Sequence, residues 1–216
     1  MSTRYVVKQG DYLAKIAREH GYTDFMAVWN AGENAALRQE RESPNVLFPG
    51  DVVLLPDLGA RHEEGQTEQR HHFVLKGNVL KLRLVVEDAF RTLVRDTNCD
   101  LDVGGRTNEL RTDGDGRVEL EIAKDTEQAR FVLREADSVF NDTVLDIRVG
   151  ELDPVSKLDG QVKRLINLGY LRKPVADRNA AEFLSAMQEF QCDHDLLVDG
   201  RCGPVTQAQL EKVHGS

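Results

Sequence analysis

NVLFPGDVVLLP, residues 45–56, decides how the start of this chain is read. Pro49 and Gly50 mark a turn, and Val52 to Leu55 form a β-branched and aliphatic run closed by Pro56, so the stretch predicts a short strand punctuated at both ends. A lone strand is not stable, and the nearest candidate partner is RYVVKQGD, residues 4–11. Between the two, Tyr12, Leu13, Ile16 and Ala17 recur at helical spacing up to Gly21. Asp24 then stands where it can cap a second helix carrying Phe25, Met26, Val28 and Trp29. The order is β-α-α-β over residues 1–57, a length at which a compact domain is viable with little stability to spare.

Tyr5, Val7, Gly10, Asp11, Leu13, Ile16, Ala17, Trp29, Asn30, Phe48, Pro49, Gly50, Asp51, Val53 and Pro56 together resemble the LysM module. That resemblance implies binding of N-acetylglucosamine-containing glycans such as peptidoglycan, with Gly10, Asp11, Tyr12, Leu13, Val46, Leu47, Phe48, Pro49 and Gly50 as its site residues. AGENAALRQERESPN, residues 31–45, is longer than the family's usual connection, and its ENAALRQERE portion is rich in helix formers. As a helix it would be mostly solvated, with Ala35, Ala36 and Leu37 as its contact stripe, either packed near Trp29 or covering the glycan groove.

Residues 58–72 are polar and without apolar periodicity, which predicts a linker; His62, His71 and His72 there read as solvated histidines, since no carboxylate or cysteine stands at ligand spacing. From Phe73 to residue 153 the texture alternates: VLKLRLVVED, TNELRTDGDGRVELEI and ARFVLRE place apolar residues at every second position, predicting an antiparallel β-sandwich. Asp113 to Gly116 supplies a tight turn before a strand with Val118, Leu120 and Ile122 on one face, and this hairpin resembles those of prealbumin-like or immunoglobulin-like accessory domains. Asp96, Asn98, Asp100 and Asp102 alternate like calcium ligands, but Leu101 stands where an EF-hand needs glycine, so DTNCDLD reads as a loop.

Pro154 breaks the sheet, and three helical patterns follow within residues 154–216: Val162, Leu165, Ile166 and Leu168 before Gly169; Phe183, Ala186, Met187 and Phe190; and TQAQLEKVH. Asp199 and Gly200 set a reversal before the last helix. The elements LGY at 168–170, FQ at 190–191 with His194, VDG at 198–200 and GP at 203–204 with Thr206 resemble the three-helix peptidoglycan-binding domain often fused to cell-wall hydrolases. The resemblance implies a glycan site framed by Asp199 and Gly200. At KPVADRNAAEFLSA, where that family has a second glycine-rich turn, only Asp177 matches.

The fold class expected is therefore α+β and multidomain: a β-α-α-β module, an antiparallel β-sandwich and a small three-helix domain. A net charge of −9 over 216 residues provides no positive field for phosphate backbones, so no nucleic-acid partner is expected. No basic-then-apolar leader opens the sequence and no apolar run reaches about 18 residues, so neither Sec export nor a membrane partner is expected. Three cysteines do not make a disulfide framework, and Cys192 and Cys202 read as reduced. No nucleophile elbow, P-loop, HExxH or dinucleotide fingerprint occurs, so catalysis, cofactors and metals are not expected. Two functions follow. The first is a non-catalytic peptidoglycan binder, made in the cytoplasm and delivered to the envelope or a target cell by a contractile injection apparatus of the type VI or phage-tail kind. The second is an adaptor of such an apparatus that contacts spike or effector proteins and no glycan.

Overall fold

The computed structural model describes residues 2–41, 43–57, 79–88, 91–134 and 143–215. The polar stretch 58–72, with its three histidines, and residues 73–78 lie outside the described residues. Two compact units make up the chain: Met1–Leu13, Trp29–Leu55 and Gly150–Ser216 form one, and Ala14–Val28 with Pro56–Val149 form the other.

Near the N-terminus, β1 (Thr3–Val6) pairs antiparallel with β2 (Val52–Leu55), Thr3 opposite Leu55 and Val6 opposite Val52, the partnership the punctuated strand requires. Between them run α1 (Leu13–Glu19) and α2 (Phe25–Trp29), the latter entered through Asp24, whose carboxylate accepts the Met26 N–H at 2.8 Å. The long connection forms a 3-10 turn (Gly32–Asn34) and α3 (Ala35–Glu40). α3 is solvated as its composition implies, but its buried apolar residue is Leu37 alone, with Ala35 and Ala36 exposed, and Arg38 donates to the Trp29 and Ala31 carbonyls.

In the second unit, β3 (Leu80–Val85) pairs with β6 (Arg117–Ile122), and a four-stranded antiparallel sheet runs in the order β5 (Arg106–Arg111), β4 (Asn98–Val103), β7 (Gln128–Leu133), β8 (Thr143–Arg148). Leu82 and Leu84 of β3, Val118 of β6, Leu101 of β4, and Phe131 and Leu133 of β7 share one core, so the two sheets make a sandwich. The Asp113 turn forms as its residues demand: the Asp113 carboxylate accepts the N–H groups of Asp115 and Arg117, both at 2.8 Å. DTNCDLD requires a correction, because Asn98 to Asp102 lie in β4 and not in a loop. The alternation that resembled a ligand series is strand periodicity: Cys99 and Leu101 are buried, Asp100 pairs with Arg134, and Asp102 accepts the Gly105 N–H at 3.2 Å.

α4 (Leu158–Asn167), α5 (Ala181–Asp193) and α6 (Pro204–His214) form the C-terminal helical domain around Val162, Leu165, Phe183, Met187, Phe190 and Leu210. Among the described residues no helix is long and apolar enough to cross a membrane.

Candidate functional site

The two Gly-Asp dipeptides of the N-terminal module, at 10–11 and 50–51, build the same turn twice. Gly10 and Gly50 have φ of 85° and 98°, left-handed values that a side chain strains against. The Asp11 N–H donates to the Lys8 carbonyl at 3.1 Å and the Asp51 N–H to the Phe48 carbonyl at 2.9 Å. Each carboxylate then reaches back across its own turn, Asp11 accepting the Lys8 N–H and Asp51 the Phe48 N–H, both at 2.8 Å. Asp11 also accepts the Tyr5 hydroxyl at 2.9 Å. The Val7 N–H donates to the Asp51 carbonyl and the Gly50 N–H to the Val7 carbonyl, each at 2.9 Å, which laces both turns to one end of the β1–β2 pair.

Gly10, Asp11, Phe48, Pro49 and Gly50 are thereby brought to one end of the module. The remaining residues of the expected set serve the core: the side chains of Tyr12, Leu13, Val46 and Leu47 are buried. What this end presents outward is the half-buried Phe48 and Pro49 with the exposed Gly50.

Two residues outside the expected set brace the module, Arg41 at the turn end and Asn34 toward the other end of β2. Asn34, buried in the 3-10 turn, donates to the Leu54 carbonyl at 2.7 Å and accepts the Leu54 N–H at 2.8 Å, so its amide acts as a partner for β2. Arg41, just beyond α3, donates from Nε and Nη2 to the two carboxylate oxygens of Asp51, both at 2.7 Å. That hydrogen-bonded pairing raises the Arg41 pKa above its ordinary value. The long connection is therefore part of the module's frame. A third contact comes from the C-terminal part of the same unit, where the Lys157 ammonium sits 4.7 Å over the centre of the Phe48 ring.

Asp199 and Gly200 lie on the turn between α5 and α6, and Gln191 of α5 organises it. Fully buried, the Gln191 amide donates to the Asp199 carboxylate at 2.9 Å and the Arg201 carbonyl at 3.0 Å, and accepts the N–H groups of Asp199 at 3.0 Å and Gly200 at 2.8 Å. The Arg201 N–H, with Gln191 second, holds the Asp199 carboxyl below its usual pKa. Beside this turn the surface is apolar: Leu197 is 80% exposed, Val198 50% and Val205 73%. A shallow groove along α6, lined by Leu196, Pro204, Val205, Ala208, Gln209 and Lys212, continues it. Gln191 was legible only as part of a motif, and nothing in the sequence marked Leu197 or Val205 as outward-facing. At the divergent KPVADRN segment, Asp177 accepts the Asn179 N–H at 2.9 Å and closes a local turn.

All three cysteines are free thiols, and burial pushes the Cys202 thiol up to about 12, far from a nucleophile's range. Among the described residues no group of three or more His, Cys, Asp or Glu side chains is placed to hold a metal.

Two family models match the chain. Residues 162–210 match a model described as a putative peptidoglycan binding domain, and residues 5–38 match that of the LysM domain. No curated protein and no solved structure matches.

Proposed function

For a chain that carries a LysM domain at its N-terminus and a putative peptidoglycan-binding domain at its C-terminus, we propose the function of a non-catalytic peptidoglycan-binding protein of the cell envelope. Its modules are taken as residues 1–57, 73–153 and 154–216, with 58–72 joining the first two. The supporting observation is the exposure of Leu197, Val198 and Val205, which flank in sequence a turn locked by Gln191. Sugar rings and N-acetyl methyl groups offer apolar faces edged by hydroxyls, and an apolar strip flanked by fixed polar groups, here Asp199 and the 199–203 backbone, is the matching surface. On the LysM side the corresponding face comprises Gly10, Asp11, Phe48, Pro49 and Gly50, with Tyr12, Leu13, Val46 and Leu47 beneath it. Two modest sites on one chain raise the effective affinity for a repeating polymer. The experiment is co-sedimentation with purified sacculi at moderate salt: the full chain pellets, and Leu197→Ser with Val205→Ser weakens the pelleting while leaving the fold intact by circular dichroism.

The alternative is an adaptor of a contractile injection apparatus that contacts a spike or effector protein. The placement of Lys157 over Phe48 favours it, since the chain itself then occupies part of the LysM face. A chain that stays in the supernatant with sacculi but co-purifies with a spike component supports this reading. Delivery by such an apparatus to the envelope or to a target cell accommodates either function.

A further inference from the structure

Gly150 approaches the Gly10–Tyr12 turn more closely than any other residue type allows. A Cβ built on it would overlap Cδ1 of Tyr12 and lie 2.8 Å from the Gly10 carbonyl oxygen. Its φ of 84° is also one that side chains avoid. Seven residues on, Lys157 sits over Phe48 at the companion turn, its ammonium 4.7 Å from the ring centre. The segment Gly150–Lys157 thus touches both Gly-Asp turns at its two ends.

Between those ends it is fastened to α4. Lys163 pairs with the Asp153 carboxylate at 2.9 Å and donates to the Glu151 carbonyl. Arg164, fully buried, donates to the Asp153 carbonyl at 2.8 Å, and the Gln161 amide to the Val155 carbonyl at 2.7 Å. Gly160 has no side chain because the Asp153 and Pro154 carbonyls occupy that space. The segment is therefore bonded firmly to the C-terminal helices. At the turns it meets the half-buried Phe48 ring through the Lys157 ammonium and Tyr12 through Gly150.

We propose that Gly150–Lys157 is a latch on the LysM face: closed, it covers the Gly10–Tyr12 turn and the Phe48 ring, and a glycan of the N-acetylglucosamine class must displace it to reach them. This rests on the proposal that the LysM face binds such a glycan. The closed form lowers apparent affinity in proportion to the fraction of time the face is open. Opening moves the segment with α4 as one piece, because it stays bonded to Gln161, Lys163 and Arg164.

Two folded variants test it, with chitotetraose as the probe in titration calorimetry on the full chain. Lys157→Ala removes the cation and tightens binding about three-fold. Gly150→Val forces the segment off Tyr12 and tightens it about ten-fold if the wild-type face is open about a tenth of the time. In the wild type, chitotetraose speeds amide hydrogen exchange across Gly150–Lys157. Equal or weaker binding by Lys157→Ala, with exchange in that segment unchanged by ligand, overturns the latch and leaves the glycan reading standing. Absence of chitotetraose binding by the wild type and both variants overturns the LysM-face reading and the latch with it. Should Gly150→Val not fold, Lys157→Ala and the exchange measurement decide alone.

Discussion

Arg41 grips Asp51 through two parallel hydrogen bonds, both at 2.7 Å, joining the end of the long connection to the Pro-Gly-Asp turn. Side-chain exposures of 12% and 7% place the pair largely out of water, where losing one partner strands the other. Asp51 keeps the Phe48 N–H when Arg41 is removed, so Arg41→Ala should cost about 2–3 kcal/mol and Asp51→Ala more, by urea denaturation. Arg41→Lys keeps the charge but not the fork, and an intermediate loss is expected. Replacing residues 33–43 by a Gly-Ser linker removes Asn34 and Arg41 together, and should destabilise the module well beyond the small loop-entropy term.

Gly160 provides a reversal of sign. Glycine to alanine inside a helix ordinarily stabilises by about 0.5–1 kcal/mol. At Gly160 an added methyl meets the carbonyls of Asp153 and Pro154, so Gly160→Ala should destabilise by about 1–3 kcal/mol, read as a fall in melting temperature.

Gln191 joins the α5 core to the 199–203 turn. Gln191→Leu keeps the volume but leaves the buried Gly200 N–H without its acceptor and the Asp199 N–H with the Leu197 carbonyl alone, and about 1–3 kcal/mol should be lost. Sacculus binding should weaken in step at temperatures where the variant is still folded.

His214 sets a pH dependence. Burial, with the Arg164 charge second, pushes its imidazole down to about 4, while Asn167 lies 2.9 Å from its Nε2. The unfolded chain, with a histidine near 6.5, binds the proton first as pH falls. Stability of the C-terminal domain should therefore hold above about pH 6.5 and decline between there and about pH 4. His214 retains some exposure, so the decline should be about 2 kcal/mol. His214→Gln should flatten the curve in that window. Asp199, held below its usual pKa, titrates under the window and does not mask the effect.

The β1–β2 pairing and all three C-terminal helices were legible because glycine, proline and apolar period mark them locally. β8 was not, since every residue from Thr143 to Asp146 is exposed and the strand carries no burial alternation. β4 was hidden by its acidic residues, whose partners, such as Arg134 for Asp100, lie far along the chain. The Gly10 and Gly50 turns were legible from local turn chemistry, and the residues proposed for a glycan face came from the resemblance to the LysM module. Asn34, Arg41 and the contact of Gly150 with Tyr12 escaped because a buried polar residue or a close glycine is defined by tertiary partners alone.

Co-sedimentation of the full chain with purified sacculi, beside the Leu197→Ser, Val205→Ser double variant, bears on the proposed function most directly. The expected result is a pelleted wild type and a double variant left largely in the supernatant with an unchanged circular dichroism spectrum. A wild type that remains in the supernatant at moderate salt, or a double variant that pellets as fully as the wild type, would contradict peptidoglycan binding through the exposed edge of the C-terminal domain.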